Sequence, residues 1–180
     1  MKNSKTFQMV YLALMVAFAV AIHTVEAALP VPIPVPGVKL GLANIITLFT
    51  IVFYDWRSGL LVSSLRSIIG SLLIGNFLGF GFYLSFSGAI LSCFVMALFI
   101  KLYHGRKVTL VSVSVAGAVT FNVVQLLLAS VLVQNLTLLR GYLPFLLILA
   151  LPTGFFTGLA ADYLQKIAEK IGLRPGHTSK

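Results

Sequence analysis

Residues Phe7–Leu29 read FQMVYLALMVAFAVAIHTVEAAL, and residues Pro30–Gly37 read PVPIPVPG. The first stretch has no Asp, Glu, Lys or Arg before Glu26 and no Gly or Pro anywhere. It exceeds the roughly 20 apolar residues that a helix needs to cross a hydrocarbon core, so it predicts a transmembrane helix. In the second stretch alternate residues are proline, with fixed φ and no N–H, so neither a helix nor a paired central strand can form. It predicts a stiff extended connector. Lys2 and Lys5 ahead of the run, and Val25-Glu26-Ala27 near its end, also fit a cleavable signal peptide. The apolar stretch is long for a signal core and later segments are equally hydrophobic, so it is read as helix 1.

Outward from this pair, further apolar runs cover about Leu40 to Tyr54, Gly59 to Leu78, Phe82 to Tyr103, Val108 to Val133 and Tyr142 to Leu164. The run from Leu40 is short for a span, but six spans is the count that fits best. The chain has 180 residues, of which 59% are hydrophobic and 9% charged, where a soluble domain carries about 25% charged residues. Such a chain cannot cover a water-facing surface, which excludes a soluble enzyme. Six spans of about 20 residues leave room only for short loops and tails. The expected organisation is a cytoplasmic N-terminus over 1–6, one six-helix transmembrane domain over 7–165 and a basic cytoplasmic tail over 166–180.

The formal net charge is +9. In a soluble protein this would suggest nucleic acid, but here the basic residues sit at span ends, as the positive-inside rule and anionic lipids would have it. With the N-terminus on side one, that side receives Lys2, Lys5, Arg57, Lys101, Arg106, Lys107, Lys166, Lys170, Arg174 and Lys180. Side two receives only Lys39 and Arg140. Both termini are therefore expected in the cytoplasm and the Pro-rich connector outside. Cys93 is the single cysteine, with no second thiol for a disulfide or a metal. His104 and His177 have no metal-ligand neighbours and read as solvent-facing.

Arg66 is the remaining basic residue and the most informative. Counted from Arg57 at 1.5 Å per residue it lies roughly 14 Å deep, near the bilayer centre. An intramembrane Arg faces a partner or a water-filled cavity. By depth no acid matches it: Glu26 falls near the outer edge, Asp55 and Asp162 near the inner one, and Glu169 beyond. Arg66 is either satisfied by helix carbonyls and by Asn or Gln of other helices, or it meets an anionic substrate. Asn44, Thr47, Asn76, Asn122 and Gln125 lie at pocket depth as well. Asn122 and Gln125, three residues apart, share a helix face; each also fits a role as interhelical glue. His23 and Glu26 share a face of helix 1, which fits a local pair or a substrate contact. Ala13, Ala17 and Ala21 form a flat stripe on helix 1, and Gly75/Gly79 and Gly154/Gly158 repeat the small-xxx-small spacing that lets helices approach closely.

The order of these features resembles a known family. Ala-rich helix 1, the run from Pro34 through Gly37, Lys39 and Gly41 to Asn44, Leu65-Arg66 followed by Gly70-Ser71-Leu72-Leu73, and Asn122 with Gln125 look like the Gx transporter family, also labelled heptaprenyl diphosphate synthase component I. The resemblance covers about Tyr11 to Leu164. That family is similar to the substrate-binding S-components of energy-coupling factor (ECF) transporters, six-helix proteins of bacterial cell membranes with an outward-facing site and a lid between helices 1 and 2.

The resemblance implies an all-α, S-component-like bundle that binds a small, anionic solute such as a vitamin or cofactor precursor. Lys39, Asn44, Arg66, Asn122 and Gln125 become the expected substrate contacts. Ala13, Ala17 and Ala21 become the docking stripe for a transmembrane coupling subunit, and separate ATPase subunits of the ECF module would hydrolyse ATP. Capture under the outer loop, docking through helix 1 and inward release would follow one another. No cofactor is expected in this chain. The second label implies prenyl elongation, which uses aspartate clusters to hold magnesium on a diphosphate. The chain has only Asp55 and Asp162, far apart in sequence, no Walker-type loop and no evident nucleophile–base pair. A non-catalytic membrane subunit that binds an isoprenoid or quinone precursor is the alternative. A solitary ion-driven carrier is weaker, because no acidic relay is evident at mid-membrane.

Overall fold

The computed structural model describes residues 5–28, 38–103 and 109–170. The Pro-rich connector, His104, His177 and the extreme termini lie outside the described residues. Among the described residues the chain is all-helical: α1 (Lys5–Ala28), α2 (Asn44–Phe53), α3 (Trp56–Leu73), α4 (Phe80–Tyr103), α5 (Leu110–Leu132) and α6 (Thr137–Lys170). Four of them, α1, α4, α5 and α6, are long and apolar enough to cross a membrane. Their outward side chains, such as Phe18, Leu127, Ile148 and Phe156, are apolar and exposed, which suits a lipid solvent and not water.

The run from Leu40 to Tyr54, expected as a span, forms a helix shorter than one that crosses a membrane. Gly41 takes a left-handed φ of +86° and starts a turn in which Asn44 N–H donates to Gly41 O (3.0 Å) and Ile45 N–H to Leu42 O (3.2 Å). Only 10 residues of α2 remain, about 15 Å of helix. What α2 lacks in length it has in neighbours, since it packs against every other helix of the bundle. Ile46, Leu48, Phe49, Ile51 and Phe53 are all buried. Asp55 then caps α3, its carboxylate accepting from Ser58 N–H at 2.7 Å, as an extended N-cap residue should. α3 has 18 residues, but its serines and two arginines keep it below the hydropathy of the four long helices.

α1 buries Met15, Val16, Ala19 and Val20 against Ile46, Phe49 and Phe53 of α2 and Val62 of α3. The same face carries His23 and Glu26 inward. On the opposite face Ala13, Ala17 and Ala21 are exposed, and among the described helices α1 packs closely on α2 and α3.

α5 and α6 make the tightest pair. A Cβ added at Gly154 would come within 2.6 Å of Val115 Cα, and one at Gly158 within 2.6 Å of Val111 Cα. The backbones touch because glycine lets them, which realises the small-residue spacing inside the bundle. Between these contacts Ser114 and Thr157 share a hydroxyl hydrogen bond of 2.7 Å. Gly75 serves differently from Gly154: it ends α3 with φ +73° in a Schellman turn, Gly75 N–H donating to Leu72 O and Asn76 N–H to Ser71 O. α6 runs for 34 residues, beyond both expected bounds, and continues through Pro144 and Pro152. Asn135 Oδ1 accepts from Thr137 N–H at its start (3.0 Å), and Lys166 pairs with Asp162 near its end (2.7 Å).

Candidate functional site

Arg66 sits one helix turn before Gly70 on α3, and its side chain is 1% exposed. A buried guanidinium needs acceptors. One is Asn44 Oδ1 at the first turn of α2, which accepts from Arg66 Nη2 at 2.6 Å. Arg66 Nε, Arg66 Nη1 and Asn44 Nδ2 have no partner. Every unsatisfied atom of this pair is therefore a donor. The N-terminal end of α2, which lacks a side-chain cap, adds the positive end of a helix dipole beside Asn44.

Around this pair the segment after the connector is tied down from two sides. Glu26 accepts from the backbone N–H of Gly41 and, at 3.3 Å, from that of Leu42. Gln125 accepts from Lys39 N–H at 2.9 Å and donates back to Lys39 O at 3.4 Å. Both polar atoms of Gln125 are thus engaged in positioning Lys39. The Lys39 ammonium lies 2.6 Å from His23 Nε2. An ammonium can only donate, so Nε2 accepts and the imidazole is neutral. Burial pushes the Lys39 ammonium down to about 8, with the nearby Arg66 acting in the same direction and Glu26 opposing both. The glycines make room: a Cβ at Gly70 would fall 2.4 Å from the His23 ring, and one at Gly41 2.9 Å from Phe121.

The sequence-expected residues therefore fall into two connected groups and one outlier. Arg66 and Asn44 bond directly, Lys39 and Gln125 bond directly, and Asn122 lies one turn before Gln125 on α5. Asn122 donates to Leu146 O at 3.3 Å, while its Oδ1 has no partner. Thr47 bonds Ser63 at 3.0 Å beneath α3.

Two expectations need correction. No carboxylate was expected near Arg66, yet Glu26 is 2% exposed and within electrostatic reach of both Arg66 and Lys39. Counting depth along one helix missed that the chain returns through Gly41 to cover it. His23 and Glu26 do not bond each other; each reaches to the 39–42 segment instead. The signal that could have found them is their spacing from Val16, Ala19 and Val20, which places both on the buried face of α1. Among the described residues no group of His, Cys, Asp and Glu could hold a metal ion.

This is a buried, donor-rich centre between α1, α2, α3 and α5, built on two cations and one carboxylate. Its open donors can meet an acceptor group. No curated protein and no solved structure matches the chain. The profile of the heptaprenyl diphosphate synthase component I family matches residues 15–164, a span that takes in α2 to α5 whole, α1 from Met15 onward and α6 as far as Leu164. The chain belongs to the heptaprenyl diphosphate synthase component I family.

Proposed function

We propose that the chain is a non-catalytic subunit of a bacterial cell membrane that holds an anionic small molecule at Arg66 and Asn44, for use with other subunits. The observation that carries this reading is the set of unpartnered donors on a fully buried Arg66 and its neighbour Asn44. Leaving such donors unmet costs about 1–3 kcal/mol each, more for a charged group, so their retention suits a ligand. Lys39 and Asn122 complete the ligand contacts, and Gln125 holds Lys39 in place. The description "component I" favours a partner protein, and "heptaprenyl diphosphate" favours an isoprenoid or quinone precursor as the ligand class.

A second reading, the S-component of an ECF uptake transporter for a vitamin or cofactor precursor, is favoured by one observation. Ala13, Ala17 and Ala21 lie exposed on a long helix that, among the described helices, packs on α2 and α3, as a docking stripe for a coupling subunit would. Ala17→Trp is expected to abolish co-purification with such a subunit while ligand binding persists. Unchanged co-purification would defeat the docking claim.

Native mass spectrometry of the detergent-purified chain, with extraction and identification of retained small molecules, tests the main reading. An isoprenoid- or quinone-related anion, absent from Arg66→Ala, is the expected result. A small hydrophilic anion with the same dependence would move the assignment to uptake. A ligand retained equally by Arg66→Ala would overturn the site.

A further inference from the structure

Building on the reading of Arg66 and Asn44 as an anion site, we infer that the ligand held there also carries a hydroxyl group, which donates to Asn122 Oδ1 and accepts from Ser85 Oγ. Among the described residues five buried side-chain atoms have no hydrogen-bond partner. Three of them, on Arg66 and Asn44, are the donors of the anion site. The other two are Asn122 Oδ1 and Ser85 Oγ, on side chains 0% and 1% exposed. An anion that only accepts cannot meet the Asn122 oxygen, whether it is a carboxylate or a phosphate.

Ser85 and Asn122 lie at one level of the α4–α5 contact. A Cβ at Gly88 would meet the Phe121 ring at 3.0 Å, and one at Gly117 would meet Met96 at 2.7 Å. These contacts run in opposite chain directions, so Ser85, one turn before Gly88 on the same face, falls level with the turn of α5 that follows Phe121. That turn begins at Asn122 and ends at Gln125, the residue that grips Lys39. The next residues agree: Leu84 and Leu126 pack in one cluster with Leu146, whose carbonyl takes the Asn122 amide. Phe121 ties this level to the anion site. Its ring and Asn44 Nδ2 both come within 3.0 Å of the place a Gly41 Cβ would occupy.

The identity of the missing group follows from what each atom can do. Asn122 Nδ2 donates to Leu146 O at 3.3 Å, and turning the amide over would set carbonyl against carbonyl, so the open atom is an acceptor. Ser67, Ser87 and Ser130 give their protons back to a carbonyl one turn earlier, but Ser85 does not, and its hydroxyl keeps both roles. A ligand N–H would serve Asn122 and leave the Ser85 proton unmet. A ligand hydroxyl meets both, since it donates and accepts. In a membrane interior such atoms find no bulk water. Of the precursors in the proposed reading, a phenolic quinone precursor carries this group, and a prenyl diphosphate, whose hydroxyl is esterified, does not.

The test uses the full chain in nanodiscs with benzoate and its 3- and 4-hydroxy derivatives, and with phenyl phosphate and its 3- and 4-hydroxy derivatives. Affinities are measured for the unmodified chain, Arg66→Ala, Asn122→Leu and Ser85→Ala. In each series at least one hydroxylated probe is expected to bind about tenfold more tightly than its parent, because a site with buried polar atoms set for a hydroxyl rejects the analogue that lacks it. Asn122→Leu and Ser85→Ala should each shrink that ratio toward one, and Arg66→Ala should weaken every probe. Parents that bind as tightly as their hydroxylated derivatives, with Arg66 still required, would overturn the hydroxyl assignment and leave the anion site standing. Binding indifferent to Arg66→Ala, or no binding by any probe, would overturn both. The ratio on the unmodified chain decides the matter whether or not the variants fold.

Discussion

The α5–α6 contact and the α1–α2–α3 contact are built by opposite means. Between α5 and α6, Gly154 and Gly158 bring backbone onto Val115 and Val111, and the buried hydroxyls of Ser114 and Thr157 satisfy each other. Between α1, α2 and α3 the interior holds His23, Glu26, Asn44 and Arg66, with donors left open. A chain able to close one interface to backbone contact has left another one polar. The difference separates a scaffold from a site.

The largest way to break this contrast is to overfill the closed side. Gly154→Leu would drive α5 and α6 apart, at a cost of about 3 kcal/mol or more for overpacking against backbone. Loss of the monodisperse peak on size-exclusion chromatography, or a fall in Tm of many degrees, checks it.

On the open side the sign should reverse. Arg66→Met removes a buried charge two of whose three nitrogens have no partner, so the relief of its burial should offset the donor taken from Asn44 Oδ1. Thermal unfolding in detergent should show an equal or higher Tm with ligand retention gone. A clear fall in Tm would make Arg66 a structural residue.

A finer probe is pH. Lys39 is held at about 8 by burial and by the charge of Arg66, against the pull of Glu26, while its ammonium donates a hydrogen bond to His23 Nε2. An anion favours the charged ammonium, so affinity should be full below this value and fall as pH rises through it, about fivefold between pH 8 and 9. Lys39→Gln should flatten that profile. The same lowered value has a stability counterpart: the unfolded lysine binds its proton up to its ordinary 10.5, so unliganded stability rises with pH between about 8 and 10.5.

The smallest effect sharpens the scaffold alone. α5 ends in the same Schellman turn as α3, Gln134 N–H donating to Val131 O and Asn135 N–H to Ser130 O. Gln134 stands at φ +55° where α3 has Gly75. Gln134→Gly should raise stability by about 1 kcal/mol through relief of the left-handed backbone, measured as a modest rise in Tm.

The long helices were legible because uninterrupted apolar runs leave no other choice in lipid. α2 was not, since Leu40 to Tyr54 is apolar throughout and only the positive φ of Gly41 cuts it short. α6 was underestimated because Pro144, Pro152 and Arg140 read as interruptions, whereas a helix can carry proline at the loss of single ladder bonds. Of the site, Arg66 announced itself by depth, and the Asn44 and Gln125 side chains by polarity. His23 and Glu26 could be read as sharing a face of α1, but their partners come from the 39–42 segment after the connector, a relation that no spacing within α1 encodes.

The length of α2 bears finally on biogenesis. A helix of 10 residues cannot be handed to the bilayer alone, since it spans only half the hydrocarbon thickness and its backbone ends would meet lipid unpaired. It finds shelter only when the other five helices surround it, α6 included. Asn44 reaches Arg66 from the first turn of this helix, so the anion centre takes shape at the last step of assembly. On the proposed function, a nascent chain still lacking α6 would be blind to its ligand, and completion of the polypeptide would switch recognition on.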